Sequence, residues 1–163
     1  MAHHKLVLDE DPGEDFSLIA IHCSEDAFKM AFMLNKHAML RLQRKKDDVD
    51  LSHHGEIISF PIFEFENELN YIKFNLVANK YRLSTINKLE AGNLFSELPS
   101  EKVTTVHLLP EYKNVDYFLK IDSDYESMPI RILVSTINEI EQVISAYPIQ
   151  NGQIKSKNNL IFD

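Results

Sequence analysis

The chain is poor in the residues on which common catalytic and cofactor-binding motifs depend. Its 163 residues include one cysteine, no tryptophan and four glycines. A single cysteine, Cys23, forms no disulfide within the chain, which fits a reducing compartment. The glycines stand alone, so neither a GxGxxG turn nor a P-loop can be drawn, and nucleotide chemistry on those scaffolds is excluded. They lie at Gly13, Gly55, Gly92 and Gly152.

Long apolar runs are also absent. No stretch approaches the ~20 apolar residues that span a bilayer. The first residues lack the apolar run of ~7–15 residues that is typical of a signal peptide. We therefore expect a cytoplasmic protein that does not contact a membrane.

Positive charge is scarce. The chain has 17 Lys and Arg against 25 Asp and Glu, and its formal net charge is -8 at pH 7. Such a chain repels phosphate backbones. Its densest basic cluster is followed at once by acidic residues, which indicates the end of a helix rather than a phosphate-binding track, and we expect no nucleic-acid binding. The cluster is Arg41, Arg44, Lys45 and Lys46.

The hydrophobic pattern predicts one domain over residues 1–163, with a tail over 149–163. We expect a short strand at 4–8, an acidic turn at 9–14, a polar loop at 47–55, and a loop with a short helix at 79–102. Five further strands are expected, two of them from alternation, one from aromatic and β-branched residues, and two on either side of the segment 109–117. These are 15–22, 57–65, 70–78, 103–109 and 115–121.

Two helices are expected from apolar residues at helical spacing. The first runs from the N-cap Ser24 to about Arg44, and the second from Pro129, in its first turn, to Ile144. In the first helix we expect one stripe to face a sheet. It comprises Phe28, Ala31, Phe32, Asn35 and Met39, and it is widened by Ala27, Met30, Leu34 and Ala38.

The order of these elements predicts an α+β fold. It is strand, helix, hairpin, loop, hairpin, helix and tail, so strands outnumber helices and the hairpins make the pairing antiparallel. We expect a two-layer sandwich, in which a mostly antiparallel sheet carries both main helices on one face.

The most informative segment is the motif loop, Leu109 to Tyr117, with the sequence LPEYKNVDY. Read functionally, Glu111 and Asp116 form an acid/base pair or share a cation, with Tyr117 as a donor, or the loop is a binding surface. Read structurally, Pro110 sets a turn, Glu111 is solvated, Asp116 accepts backbone donors and Tyr117 lies in the core. The structural reading is favoured, and the sequence leaves both open.

This segment resembles the signature of the IPExxxVDY family of bacterial proteins, with Leu109 in place of its isoleucine. The resemblance extends to 76–80 (LVANK) and 155–162 (KSKNNLIF). The family carries no assigned activity, so the resemblance implies no catalytic residue and no cofactor.

Other candidate sites are weak. Asp48, Asp50 and Ser52 alternate like calcium ligands, but the glycine and the final glutamate of that loop are missing. The adjacent His53 and His54 are expected to point in opposite directions, and we expect no metal site. Cys23 is expected to be a small buried residue rather than a nucleophile.

We therefore expect a non-enzymatic protein-interaction or regulatory module, monomeric or dimeric through an edge strand, with no cofactor and an unidentified protein partner. The alternative is a small-ligand-binding domain or minor enzyme that uses Glu111, Asp116 and Tyr117. The candidate binding residues are Pro110, Glu111, Asp116 and Tyr117.

Overall fold

The computed structural model describes residues 16–86, 101–123 and 129–162. Within them the chain forms two α-helices, α1 (Ala27–His37) and α2 (Ile130–Asn138). The strands of the same residues are β1 (Phe16–Cys23), β2 (Gln43–Arg44), β3 (Val49–His53), β4 (Glu56–Phe60), β5 (Ile62–Asn67), β6 (Ile72–Ala78), β7 (Lys80–Ile86), β8 (Glu101–His107), β9 (Tyr117–Ser123) and β10 (Val143–Ile149).

Six strands form the main sheet, in the order β10-β1-β9-β6-β5-β2. Every neighbouring pair in it is antiparallel. The prediction of an α+β fold with a mostly antiparallel sheet and two helices is confirmed. β1 was expected to be a central strand because both its faces are apolar, and it lies between β10 and β9.

Each face of this sheet is buried under its own apolar cluster. Ile19 and Ile21 of β1 lie in the cluster that includes the buried residues of both helices. Leu18 and Ala20 point the other way, into a cluster that includes Leu160 of the tail. The helices thus share one cluster, and the opposite one holds hairpin and tail residues. The two-layer sandwich itself stays a prediction.

The first helix is shorter than predicted, and it begins and ends elsewhere. Its N-cap is Asp26 rather than Ser24, and the Asp26 carboxylate accepts the Lys29 N–H at 2.9 Å. The helix ends at His37, and Met39 has a φ of 58°, in the left-handed region that interrupts a helix. The predicted continuation to Arg44 is wrong, because Gln43 and Arg44 pair with β5 as an edge strand.

The predicted buried stripe of this helix is also partly wrong. Phe28, Phe32 and Met39 are 64%, 63% and 84% exposed. The helix is rotated so that its core side is formed by Ala31 of the stripe, by two of the residues that were expected to widen the stripe and by one residue outside the prediction. The buried set is Met30, Ala31, Met33 and Leu34.

The second helix also ends early. α2 stops at Asn138, residues 139–142 form a turn, and β10 begins at Val143 as an edge strand that pairs with β1. The Asn138 side chain donates to the Ala146 carbonyl and accepts the Ala146 N–H, both at 2.8 Å. Pro148 lies in the same edge strand, where its missing N–H costs no sheet hydrogen bond.

The polar loop predicted at 47–55 is a hairpin. β3 pairs with β4 through His54 and Gly55, whose φ angles of 50° and 84° suit a two-residue type I′ turn. The rings of His53 and His54 lie 4.2 Å apart, so the adjacent histidines do not point in opposite directions. The strand predicted at 57–65 is divided at Pro61 into β4 and β5, which belong to different sheets.

The predicted hairpin across the motif loop is wrong. β8 pairs with β7 in a separate two-stranded ribbon, whereas β9 lies between β1 and β6. The ribbon also replaces the loop predicted at 80–86. The predicted elements at 4–8 and 9–14, and the short helix within 87–100, lie outside the described residues.

Candidate functional site

The motif loop is built around the side chain of Asn79, which lies buried between β6 and β7. Its amide nitrogen donates to the carbonyls of Tyr112 (2.8 Å) and Val115 (3.0 Å), and its oxygen accepts the Leu109 N–H (2.8 Å). The Asn79 backbone adds bonds to Asp116 and Leu108. One asparagine therefore satisfies the polar backbone that a buried loop would otherwise leave unpaired.

Pro110 and Glu111 lie in a short 3-10 helix, Pro110–Tyr112, and Pro110 is exposed. The Glu111 carboxylate accepts the N–H groups of Lys155 and Ser156, each at 2.8 Å, and the Ser156 hydroxyl at 3.0 Å. Burial acts to raise the pKa of Glu111, but these hydrogen bonds to the ionised form outweigh it, so the pKa is lowered. Glu111 is thus not the solvated turn residue that the structural reading assumed.

Asp116 joins two strands to the loop. One carboxylate oxygen accepts the Cys23 N–H at the end of β1 (3.0 Å), and the other pairs with the Lys80 ammonium at 2.7 Å. The Asp116 N–H also donates to the Ile21 carbonyl. The structural reading, in which Asp116 accepts a backbone donor beside a strand, describes this geometry.

Tyr117 is a core residue, on the same face as Leu119 and Ile121, as expected. Its hydroxyl donates to the Glu25 carbonyl just before α1, at 2.5 Å. Burial is the main reason that its pKa is raised far above the usual value. A phenol held in this way positions the start of the helix.

The polar groups of Glu111, Asp116 and Tyr117 are therefore directed to three different partners: the tail, the end of β1 with Lys80, and the start of α1. The arrangement gives no support to an acid/base pair or a shared cation.

The tail docks beside the motif loop. Asn159 donates to the Leu108 carbonyl at 2.7 Å, Leu160 is buried, and Glu111 holds Ser156. The three segments that carry the family resemblance, distant in sequence, are thus connected by hydrogen bonds. The sequence reading singled out these segments but missed Asn79, Ser156 and Asn159 as individual contacts. An isolated asparagine directly after an apolar strand was the available signal for Asn79.

The neighbouring Cys23 and His22 do not cooperate. Cys23 is buried in the core, as expected, and burial is the main reason that the pKa of its thiol is raised. His22 turns away to Tyr147, with its Nε2 3.1 Å from the phenol oxygen. A thiol whose pKa is raised is a poor nucleophile at neutral pH.

A second polar feature, absent from the sequence reading, is the buried Lys120. It is 4% exposed, its ammonium lies 3.0 Å from an Asp122 carboxylate oxygen, and it faces the rings of Phe16 and Phe162 at 5.0 and 5.5 Å. The contact with Phe162 connects the end of the tail to the main sheet.

A cavity of about 350 Å³ adjoins the tail. Its lining combines acidic side chains with apolar ones, and Glu111, Asp116 and Tyr117 do not contribute to it. The lining residues are Lys45, Asp47, Asp48, Val49, Asp50, Ile62, Ile161 and Phe162.

The most exposed aromatic surface lies on α1. Phe28 and Phe32 are one helical turn apart, and the Phe28 ring packs edge-on against Phe63 at 5.1 Å. The Arg44 guanidinium lies 5.9 Å from the centre of the same Phe63 ring, so the surface extends from the helix to the edge strand β2.

In the described part of the chain, no group of three or more His, Cys, Asp or Glu side chains is placed to hold a metal ion. Among the same residues, no helix is long and apolar enough to cross a membrane. No protein-family model, no curated protein and no solved structure matches this chain.

Proposed function

We propose that this protein is a non-enzymatic interaction module that binds a protein partner through the exposed face of α1. Membership of the IPExxxVDY family and a cytoplasmic location are part of the proposal. The sheet, with both helices on one face and the tail on the other, serves as its scaffold.

The observation that carries the proposal is the exposure of Phe28 and Phe32, at 64% and 63%, on a helix whose other face is packed in the core. Adjacent large apolar side chains in water are costly, and contiguous apolar surface of this kind marks interaction sites. Aromatic residues also dominate the binding energy of protein interfaces.

In this proposal the motif loop holds the fold together and does not itself contact the partner. Asp116 connects the loop to Cys23, and Tyr117 holds the residue that precedes the N-cap of α1. The motif therefore fixes the position of α1 on the sheet through contacts that lie beneath the exposed face of the helix. A change at Asp116 would weaken binding through the fold, so Asp116→Asn is a poor first test of the interface.

The test is a pull-down at native expression level, read by mass spectrometry. The variant Phe28→Ser/Phe32→Ser removes the aromatic surface, and Ile132→Ser, at a 67% exposed position of α2, is the matched control. We expect a near-stoichiometric partner with the wild type and the control, and its loss with the double variant. A partner that all three proteins retain would refute the assignment of this face.

Phe28 also contacts Phe63, so its replacement affects packing as well as the surface. Phe32→Ser alone provides the check, because Phe32 makes no ring contact with another described residue. Circular dichroism melting curves confirm that each variant is folded before binding is compared.

The second candidate is a small-ligand-binding domain or minor enzyme. The motif loop offers it no support, but the cavity beside the tail does, because Asp47, Asp50 and Phe162 line it together. Metabolite screening by thermal shift tests this candidate. A ligand whose stabilisation is lost with Phe162→Ala but kept with Phe28→Ser/Phe32→Ser would favour it.

An edge-strand dimer, in contrast, is disfavoured by both edges of the main sheet. At one edge, Asn138 occupies the Ala146 backbone groups, and Pro148 has no N–H to donate. At the other edge, β2 is only two residues long. Short or blocked edges of this kind prevent pairing between sheets.

A further inference from the structure

The charge around the exposed aromatics of α1 specifies a partner. Residues 27–46 hold six Lys or Arg and no Asp or Glu, in a chain whose net charge is -8. Six of the 17 Lys and Arg residues of the chain therefore lie on α1 and the segment after it, with no carboxylate between them. The six are Lys29, Lys36, Arg41, Arg44, Lys45 and Lys46.

Half of these cations are paired within the protein. Lys29 pairs with Glu25 at 2.9 Å, Arg44 pairs with Asp48, and Lys45 pairs with Glu64 at 3.1 Å. Lys36, Arg41 and Lys46 are exposed and form no ion pair with another described residue. These three side chains are therefore available to pair with an external partner.

One of the unpaired cations borders the aromatic surface, and a second lies on the segment that returns to α1. Lys36 follows Phe32 by one helical turn, so their side chains are neighbours on α1. Arg41 is brought back towards the helix because the Asn35 amide donates to the Leu42 carbonyl (3.0 Å) and accepts the Leu42 N–H (2.8 Å). We define the α1 patch as Phe28, Phe32, Lys36, Met39 and Arg41.

We infer that the occupant of the α1 patch is an acidic protein segment that carries apolar anchors; this inference rests on the proposed interaction function. An apolar centre bordered by charge is the usual anatomy of a protein interface, and aromatic, Met and Arg residues are enriched there. The anchors cover Phe28 and Phe32, and the carboxylates pair with Lys36 and Arg41. A polyphosphate has no apolar groups with which to cover Phe28 and Phe32, and an extended anionic membrane would also face the like charge of the rest of the molecule.

The experiment is a selection from a phage library of random 16-residue peptides on the full-length protein, with counter-selection on Phe28→Ser/Phe32→Ser. We expect the enriched peptides to be net acidic and to hold apolar residues at helical spacing. Their affinity should fall at least tenfold with Lys36→Glu/Arg41→Glu. It should be unchanged with Lys102→Glu/Lys157→Glu, the matched charge control at exposed positions elsewhere.

The outcomes separate this inference from the function on which it rests. Peptides that depend on Phe28 and Phe32 but are neutral or basic overturn the acidic partner alone. The absence of any peptide that depends on these two residues overturns both.

Three other occupants are tested in parallel, each with the same variants. A wild-type dimer in sedimentation that Phe32→Ser dissociates would assign the patch to a second copy. Patch-dependent binding of a single-stranded oligonucleotide would assign it to nucleic acid, and binding of phosphatidylglycerol vesicles to a membrane. Each result would overturn the inference.

Discussion

The Glu111 carboxylate binds Ser156 twice, accepting its backbone N–H at 2.8 Å and its hydroxyl at 3.0 Å. Together with the Lys155 N–H, this contact attaches the tail to the motif loop. The glutamate of the motif therefore binds a residue 45 positions away in sequence and holds the tail against the loop.

The substitution Glu111→Gln should loosen the tail. The amide side chain would retain one acceptor oxygen but lose the charge that strengthens the bonds, so we expect a loss of about 1–3 kcal/mol in the free energy of unfolding. Urea denaturation measures it, and limited proteolysis should show faster cleavage after Lys155 and Lys157. Unchanged stability and an unchanged rate of cleavage would contradict the role of Glu111 in holding the tail.

Because of the same carboxylate, the free energy of unfolding should depend on pH in the acidic range. The pKa of Glu111 is lowered in the folded protein, as is that of Glu64, where burial is outweighed by hydrogen bonds from Lys73, Lys45 and Asn75. Such groups stabilise the fold fully above their unfolded pKa of about 4.3, and the contribution is lost as pH falls through the folded pKa.

We therefore expect the unfolding free energy to be insensitive to these two groups from about pH 5.5 to 7 and to fall below about pH 4. The difference between the wild type and Glu111→Gln should shrink in the acid range, because both side chains are then neutral. A difference that stays constant down to pH 3 would show that charge is not its source.

Asn79→Ala should be among the most destabilising single changes at the motif loop. It leaves the buried Leu109 N–H without a partner and removes a donor from the Tyr112 and Val115 carbonyls, so we expect a loss of about 2–4 kcal/mol. Asn158→Ala is the control, since Asn158 is exposed and its side chain forms no hydrogen bond with another described residue. Equal melting temperatures for the two variants would disprove the role of Asn79.

Removing Asp122 should destabilise the fold more than removing Lys120, although the two residues form one ion pair. Asp122→Ala leaves a buried ammonium without its carboxylate, at a cost of about 3 kcal/mol, because the Lys120 side chain is 6% exposed. Lys120→Met leaves a carboxylate that is 33% exposed and reached by water, so its cost should be about 1 kcal/mol or less. Chemical denaturation of both variants gives the comparison, and equal losses would contradict it.

Local pattern predicted the strands that became β1, β6 and β9, because strands of seven or eight residues that are buried on both faces have apolar side chains at most positions. The local pattern failed where apolar residues at helical spacing continue into a segment that forms a strand. Ile137, Ile140 and Ile144 fit one helical stripe, yet β10 begins at Val143, where pairing with β1 decides the conformation. Local propensity is a weak prior against such pairing.

At the candidate site, too, the sequence revealed some features and the tertiary structure decided the others. The sequence by itself singled out the motif loop, because two carboxylates, a proline and a phenol lie within nine residues. The two segments that contact the loop were singled out only by the family resemblance. Only the tertiary structure decided their roles. The partners of Glu111, Asp116 and Asn79 lie 30 to 93 residues away, and no local pattern encodes hydrogen bonds of that range.

The exposure of Phe28 and Phe32 was also decided by tertiary structure. Apolar residues surround most of α1, so the helix could turn more than one face to the sheet. Long-range packing selected the face with Met30 and Leu34 and left the aromatic one in water. The order of strands and helices along the sequence thus determined an α+β core, whereas packing determined which apolar surface remains for a partner.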